Sequence, residues 1–125
     1  MKHIVTAAFL VVAVIHLLPL SGALGARRLE ALYGTPIADR NLEILMRHRA
    51  VLFGLLGAFF VVAAFVVELQ LVAFVFGFVS VVSFLWVAWM VGGYNDSVRR
   101  VLIADVVALI ALLVGVGAWV AQRAG

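Results

Sequence analysis

Residues 71–92 read LVAFVFGFVSVVSFLWVAWMVG, a stretch with no charged side chain and only Ser80 and Ser83 as hydroxyl-bearing positions. A helix rises 1.5 Å per residue and needs about 20 apolar residues to cross the hydrocarbon of a bilayer. This stretch meets that length unaided. A strand reading fails, because lipid cannot satisfy an open sheet edge and the alternating ten-residue segments of a membrane barrel are absent. Working outward, three further apolar runs of similar length occupy residues 4–24, 50–67 and 101–121. The class expected is all-α: an integral membrane four-helix bundle forming a single domain over residues 1–125, with helices at about 4–24, 40–67, 71–92 and 101–121.

Composition points the same way. Of the 125 residues, 67% are hydrophobic and 12% charged, against about 45–50% and about 25% in ordinary globular domains. Four crossings with short connections consume the chain and leave no length for a soluble catalytic domain. The absence of cysteine excludes disulfides, thiolate metal sites and thiol nucleophiles. A net charge of +3 would suggest nucleic acid in a soluble protein, but here the basic residues sit in connections beside lipid. They therefore report topology, and no nucleic-acid partner is expected.

The only long connection spans 25–49. Leu29, Leu32 and Tyr33 share one face of a short helix expected to lie on the membrane surface. Gly34 can end it, Thr35-Pro36 turn the chain, and Asp39 or Asn41 can cap the next helix. That helix, at about 40–67, is roughly 40 Å long and its first turns should protrude from the hydrocarbon. The turns at 68–70 and 93–100 are short enough to make their flanking helices antiparallel neighbours, which predicts an up-down-up-down bundle. Arg27, Arg28, Arg40, Arg47, Arg49, Arg99 and Arg100 fall in the connections 25–49 and 93–100, against Lys2 and Arg123 on the opposite side. The connections are thus expected in the cytoplasm and both termini outside. The first run resembles a secretory signal but is longer than an h-region and is followed by Arg27-Arg28, so it is expected to be retained.

Small residues make stripes at helical spacing: Ala50, Gly54, Gly57 and Ala64 on the second helix, and Ala104, Ala108, Ala111, Gly115 and Ala118 on the fourth. Such stripes let helix backbones approach, and they mark the expected bundle-facing surfaces.

Ionisable groups at bilayer depth cost about 2.5–3.5 kcal/mol each, so each needs a reason. Helices one and three end, and two and four begin, on the side that carries most of them. A pocket open to the cytoplasmic leaflet is therefore expected, with ligand-binding residues His16, Arg47, His48, Ser83, Trp86, Tyr94, Asn95 and Asp105. In it His16 and Ser83 would bond a polar head group, Arg47 and Asp105 hold the mouth, and Trp86 cover a ring. Arg47 or Arg49 paired with Asp105 would be a register-fixing ion pair, or their spare donors would make an anion or headgroup site, and the alternative for His16 is a structural residue satisfied by serine or backbone. Pro19 cannot donate to the Ile15 carbonyl, so it either kinks the first helix or frees an acceptor beside His16. Haem held between His16 and His48 is disfavoured, because His48 falls nearly opposite the small-residue stripe of its helix. No hydrolase triad, HExxH, Walker loop or GxGxxG occurs, so no catalytic residues and no metal site are predicted.

Leu32-Tyr33-Gly34, the segment LEILMRHRAVLFGLLG at 42–57, and His16-Leu17-Leu18-Pro19 together resemble the small four-helix bacterial membrane proteins grouped around the DoxX-like families. Chains of this kind often carry the label phosphopantetheine adenylyltransferase, which does not fit: that soluble fold needs an HxGH-type phosphate motif, and none occurs here. The resemblance implies an inner-membrane protein, with some relatives tied to quinone-linked complexes, and it supplies no catalytic residues. The function expected is therefore a non-enzymatic membrane protein that binds an apolar or amphiphilic ligand, with quinone or lipid as candidates, or else a partner subunit or a second copy of itself. The alternatives are a small proton-coupled exporter and a haem- or metal-bearing subunit.

Overall fold

A computed structural model describes residues 1–125, and all of its regular structure is helical. Five α-helices follow in order: α1 Lys2–Leu17, α2 Ala26–Tyr33, α3 Arg40–Phe65, α4 Gln70–Val91 and α5 Asp96–Ala124. With the 3₁₀ segments that extend α1 to Leu24 and open α4 at Val67, four of them are long and apolar enough to cross a membrane.

The boundaries have local causes. The Leu18 N–H still reaches Val14 O, but Pro19 has no N–H for the following bond, and the chain tightens into a 3₁₀ segment over Leu18–Leu24. The first helix is thus not one α-helix over 4–24. Gly34 adopts the left-handed conformation, with φ 63°, and its N–H closes α2 on Glu30 O at 2.8 Å. Asp39, rather than Asn41, caps α3, its carboxylate accepting from the Asn41 N–H at 2.8 Å. α3 stops two residues before 67 because Val66 turns extended, with φ −120°. α5 begins at Asp96, five residues ahead of the apolar run, because the Asn95 side chain accepts from the Val98 N–H and starts the helix in polar sequence.

α1 packs along α3 and α5, and α4 packs on α5 and more lightly on α3. Phe9, Phe60 and Phe74 form the middle of the core with Val5, Val12 and Leu112. The Phe9 ring lies 4.5 Å from Phe74 and 6.3 Å from Phe60, centre to centre. The small-residue stripes face inward: Ala50, Gly54, Gly57 and Ala64 are buried, as are Ala108, Gly115 and Ala118. At Gly115 an added Cβ would stand 2.7 Å from Ala8 Cβ, so hydrogen alone permits the approach of α5 to α1. The outward faces are apolar too: Leu55, Phe65, Val79, Val87, Ile110 and Leu113 are all more than half exposed. Water would penalise such a surface and lipid would not.

At one end, Thr6 Oγ1 donates to Ala64 O at 3.0 Å and Gln70 Nε2 to Ala63 O at 3.1 Å. At the other, α2 packs one face against the bundle and leaves Arg28, Glu30 and Ala31 exposed. Its Leu29 and Tyr33 are buried in a second small core with Ile37, packed by Leu32, Met46 and Val101. α2 therefore acts as a plug wedged against the 3₁₀ segment, α3 and α5. Gly22 permits this fit, since a Cβ there would meet Leu29 Cδ2 at 2.7 Å.

Candidate functional site

Beneath the plug is a cavity of about 260 Å³ lined by His16 and Leu18 from the first helix, Tyr33 from α2, Arg49 and Phe53 from α3, and Asp105 from α5, among others. Its walls are apolar over most of their area, and its polar lining comes from the first helix, α2, α3 and α5.

His16 is buried and fully bonded. Its Nδ1 lies 2.9 Å from Val12 O, which can only accept, so the proton of the neutral ring sits on Nδ1. Nε2 then accepts from the Ser80 hydroxyl at 2.8 Å. The ring packs edge-on against Phe60, with centres 5.0 Å apart, and lies 5.7 Å from Phe53. Ligation of a metal or haem through His16 would require breaking one of these two bonds. His48 is exposed on the far side of α3 and does not approach it.

Arg49 is the charged residue that α3 turns into the bundle. Its Nη1 donates to Tyr33 Oη at 2.6 Å, and its guanidinium lies 4.4 Å from the Phe53 ring centre and 5.4 Å from that of Tyr33. One of its five N–H groups is thereby used. Asp105 lines the cavity, half-buried, and accepts no hydrogen bond from the protein. It makes no ion pair with Arg49 or Arg47, the chain's one such contact being Arg47 Nη1–Glu43 Oε2 at 3.2 Å. Ser97 and Arg100 complete the polar lining.

Of the residues expected in the pocket, His16 and Asp105 line one cavity and the other six stand elsewhere. Arg47 is exposed, its Nε donating to Ala23 O at 3.0 Å and so capping the 3₁₀ segment. Arg47 and Arg49 are two residues apart, about 200° around the helix, so only one can face inward. Ser83 points outward and donates to Ser80 O at 3.0 Å. Trp86 is 59% exposed, its ring 5.6 Å from that of Trp89 on the outer face of α4. Tyr94 is exposed on the connection between α4 and α5. Asn95 is occupied structurally: while its Oδ1 caps α5, its Nδ2 donates to Tyr33 O at 2.8 Å and fastens the plug to α5. Trp119 packs inward on Phe74 with its indole N–H buried and unpaired.

Sequence reasoning missed Ser80, Tyr33 and Phe53 as site residues and gave Arg49 only as an alternative to Arg47. A signal existed for all of them but Tyr33. Ala73, Gly77 and Ser80 make a small-residue stripe on α4, and Arg49, Phe53, Leu56 and Phe60 fall on one face of α3 beside the Ala50-Gly54-Gly57 stripe. Tyr33 depends on where the plug docks, which no periodicity encodes.

Comparison with protein-family models, curated proteins and solved structures returns no match. The functional reading rests on the chemistry of this cavity.

Proposed function

We propose that the chain is a DoxX-like, multi-pass protein of the bacterial inner membrane that binds an amphiphilic ligand, quinone or lipid, in the His16–Tyr33–Arg49–Asp105 cavity without catalysing a reaction. In this reading the four long helices run up-down-up-down. The α1 start and α3 end are joined by the Thr6–Ala64 bond, and the connections between α3 and α4 and between α4 and α5 are too short for any crossover. The outward apolar belt meets lipid. The arginine-rich connections, and with them the plugged end and its cavity, face the cytoplasm by the positive-inside bias.

The observation that carries the proposal is a charged lining in a largely apolar chamber. Arg49 keeps unused donors and Asp105 accepts no hydrogen bond from the protein, and charged groups set in mostly apolar walls need a reason. A ligand with an apolar body and a head that accepts a hydrogen bond satisfies Arg49, and one whose head also carries a donor satisfies both.

None of the three tryptophans lines the cavity, so intrinsic fluorescence is a poor reporter, and ligand-induced stabilisation is the better measurement. Protein in nanodiscs titrated with decylubiquinone or dodecyl phosphate should gain about 2.7 kcal/mol of unfolding free energy at a hundred times the Kd. Ala104 lines the chamber, and Ala104→Phe, which fills it while keeping each polar residue in place, should keep the ligand-free midpoint and lose the gain. Absence of stabilisation by both ligands in the wild type, or an equal gain in Ala104→Phe, refutes the proposal.

A further inference from the structure

Tyr33 and Arg49 line a second cavity as well as the first. It holds about 320 Å³ between the connection after α2 and helices α3, α4 and α5, its wall formed by Ile37, Leu42, Met46, Phe84 and Val98, with Thr35 adding a second hydroxyl to that of Tyr33. The hydrogen-bonded Arg49–Tyr33 pair is thus a partition: on one side lies the mostly apolar chamber that carries Arg100 and Asp105, on the other an almost wholly apolar one. We infer that the two cavities are the head and tail subsites of one ligand, a single-chain amphiphile with a phosphate head, and that the Arg49–Tyr33 contact is the latch it displaces. This rests on the amphiphile reading above and adds to it the head-group charge and the path of the chain.

The charge of the first chamber selects the head. Arg49 and Arg100 face a single carboxylate, Asp105, and the three make no ion pair among themselves. A singly protonated phosphate ester complements this set: its anionic oxygens accept from the guanidinium, and its remaining O–H donates to Asp105. A neutral quinone carbonyl would accept from Arg49 but offers Asp105 no donor.

The latch has a physical reason to open on binding. Arg49 holds Tyr33 through one bond to a neutral phenol oxygen, and a hydrogen bond to an ionised acceptor is roughly twice as strong. Phosphate therefore competes effectively for the same N–H. Once released, the Tyr33 ring no longer closes the partition, and the chain passes between it and Phe53 toward Met46 and Val98. His16, with both nitrogens occupied, remains a fixed wall of the head subsite.

The chain has no cysteine, so a single introduced thiol is a clean reporter. Ala104→Cys marks the first chamber and Val98→Cys the second, with Met46→Cys as a second reporter of the latter. The readout is the rate of methanethiosulfonate modification in nanodiscs. Dodecyl phosphate at ten times its Kd should slow modification at both sites by about tenfold, whereas methyl phosphate should protect Ala104→Cys alone. Protection by dodecyl phosphate at Ala104→Cys without either tail reporter overturns the tail subsite and leaves the amphiphile reading standing. Protection of the reporters by decylubiquinone but not by dodecyl phosphate overturns the acidic head and again leaves that reading. If no probe protects any position, both fall together.

Discussion

Gly115→Ala is expected to destabilise the protein by about 2 kcal/mol, within the usual 1–3 kcal/mol cost of overpacking, while Gly117→Ala, two residues along the same helix, leaves it unchanged or slightly more stable. A Cβ at Gly115 stands 2.7 Å from Ala8 Cβ and 3.3 Å from the Phe74 ring, whereas one at Gly117 meets nothing within 4 Å. Ala8 Cβ is one bond from its backbone and cannot swing aside, so relief requires α1 and α5 to separate. That separation is costly because lipid provides no hydrophobic drive to hold helices together, and van der Waals contact at short range carries the association. At Gly117 only helix propensity changes, which favours alanine by up to about 1 kcal/mol. Unfolding of the purified protein by titrated denaturing detergent measures both. Equal effects at the two glycines would mean that α1 and α5 are not in contact there.

The second large effect is on binding. Arg49→Met should weaken dodecyl phosphate by roughly 10- to 100-fold, the loss of charge-assisted hydrogen bonds worth about 1.5–3 kcal/mol. Arg47→Met should stay within about twofold, because its guanidinium is spent on Ala23 O and Glu43 outside the chamber. Arg49→Lys should fall between wild type and Arg49→Met, since an ammonium keeps the charge but loses the planar fork that serves Tyr33 and the ligand together. Titration of the three variants in nanodiscs decides the matter. A loss confined to Arg47→Met would transfer the site to the other face of α3.

Most of the helical frame is written in the pattern of apolar runs, since a segment must be long and uncharged to be satisfied inside hydrocarbon. Apolar pattern alone says little about where polar sequence turns helical, and so the start of α5 was set too late: the Asn95 cap, not hydropathy, fixes it. The same limit explains α1, where Pro19 redirects the hydrogen bonding without changing the apolar character. Glycine and alanine stripes told which faces of α3 and α5 turn inward, because close approach is their physical use. Site residues were less legible. His16 and Asp105 were picked out by the cost of burying them, and both line the cavity. Arg47, Ser83 and Trp86 lie at a depth near the cavity, yet depth leaves the angle around the axis undetermined, and each of the three points away. Asn95 has the right position and a structural task, tying α2 to α5. Tyr33 belongs to a short amphipathic helix whose docking depends on Gly22, Leu29 and Ile37 together, a tertiary fit with no signature in spacing.

The central claim, that the chamber under the plug holds an amphiphile, is tested most directly by photo-cross-linking with a diazirine-bearing dodecyl phosphate in nanodiscs, followed by peptide mapping. The account predicts adducts on cavity-lining positions such as Leu32, Phe53 and Val101, competed away by unlabelled dodecyl phosphate and absent in Ala104→Phe. Adducts found only on the outward-facing Trp86, Trp89 and Val87, and insensitive to competitor, would contradict it and leave the four helices as a lipid-facing scaffold with no ligand site.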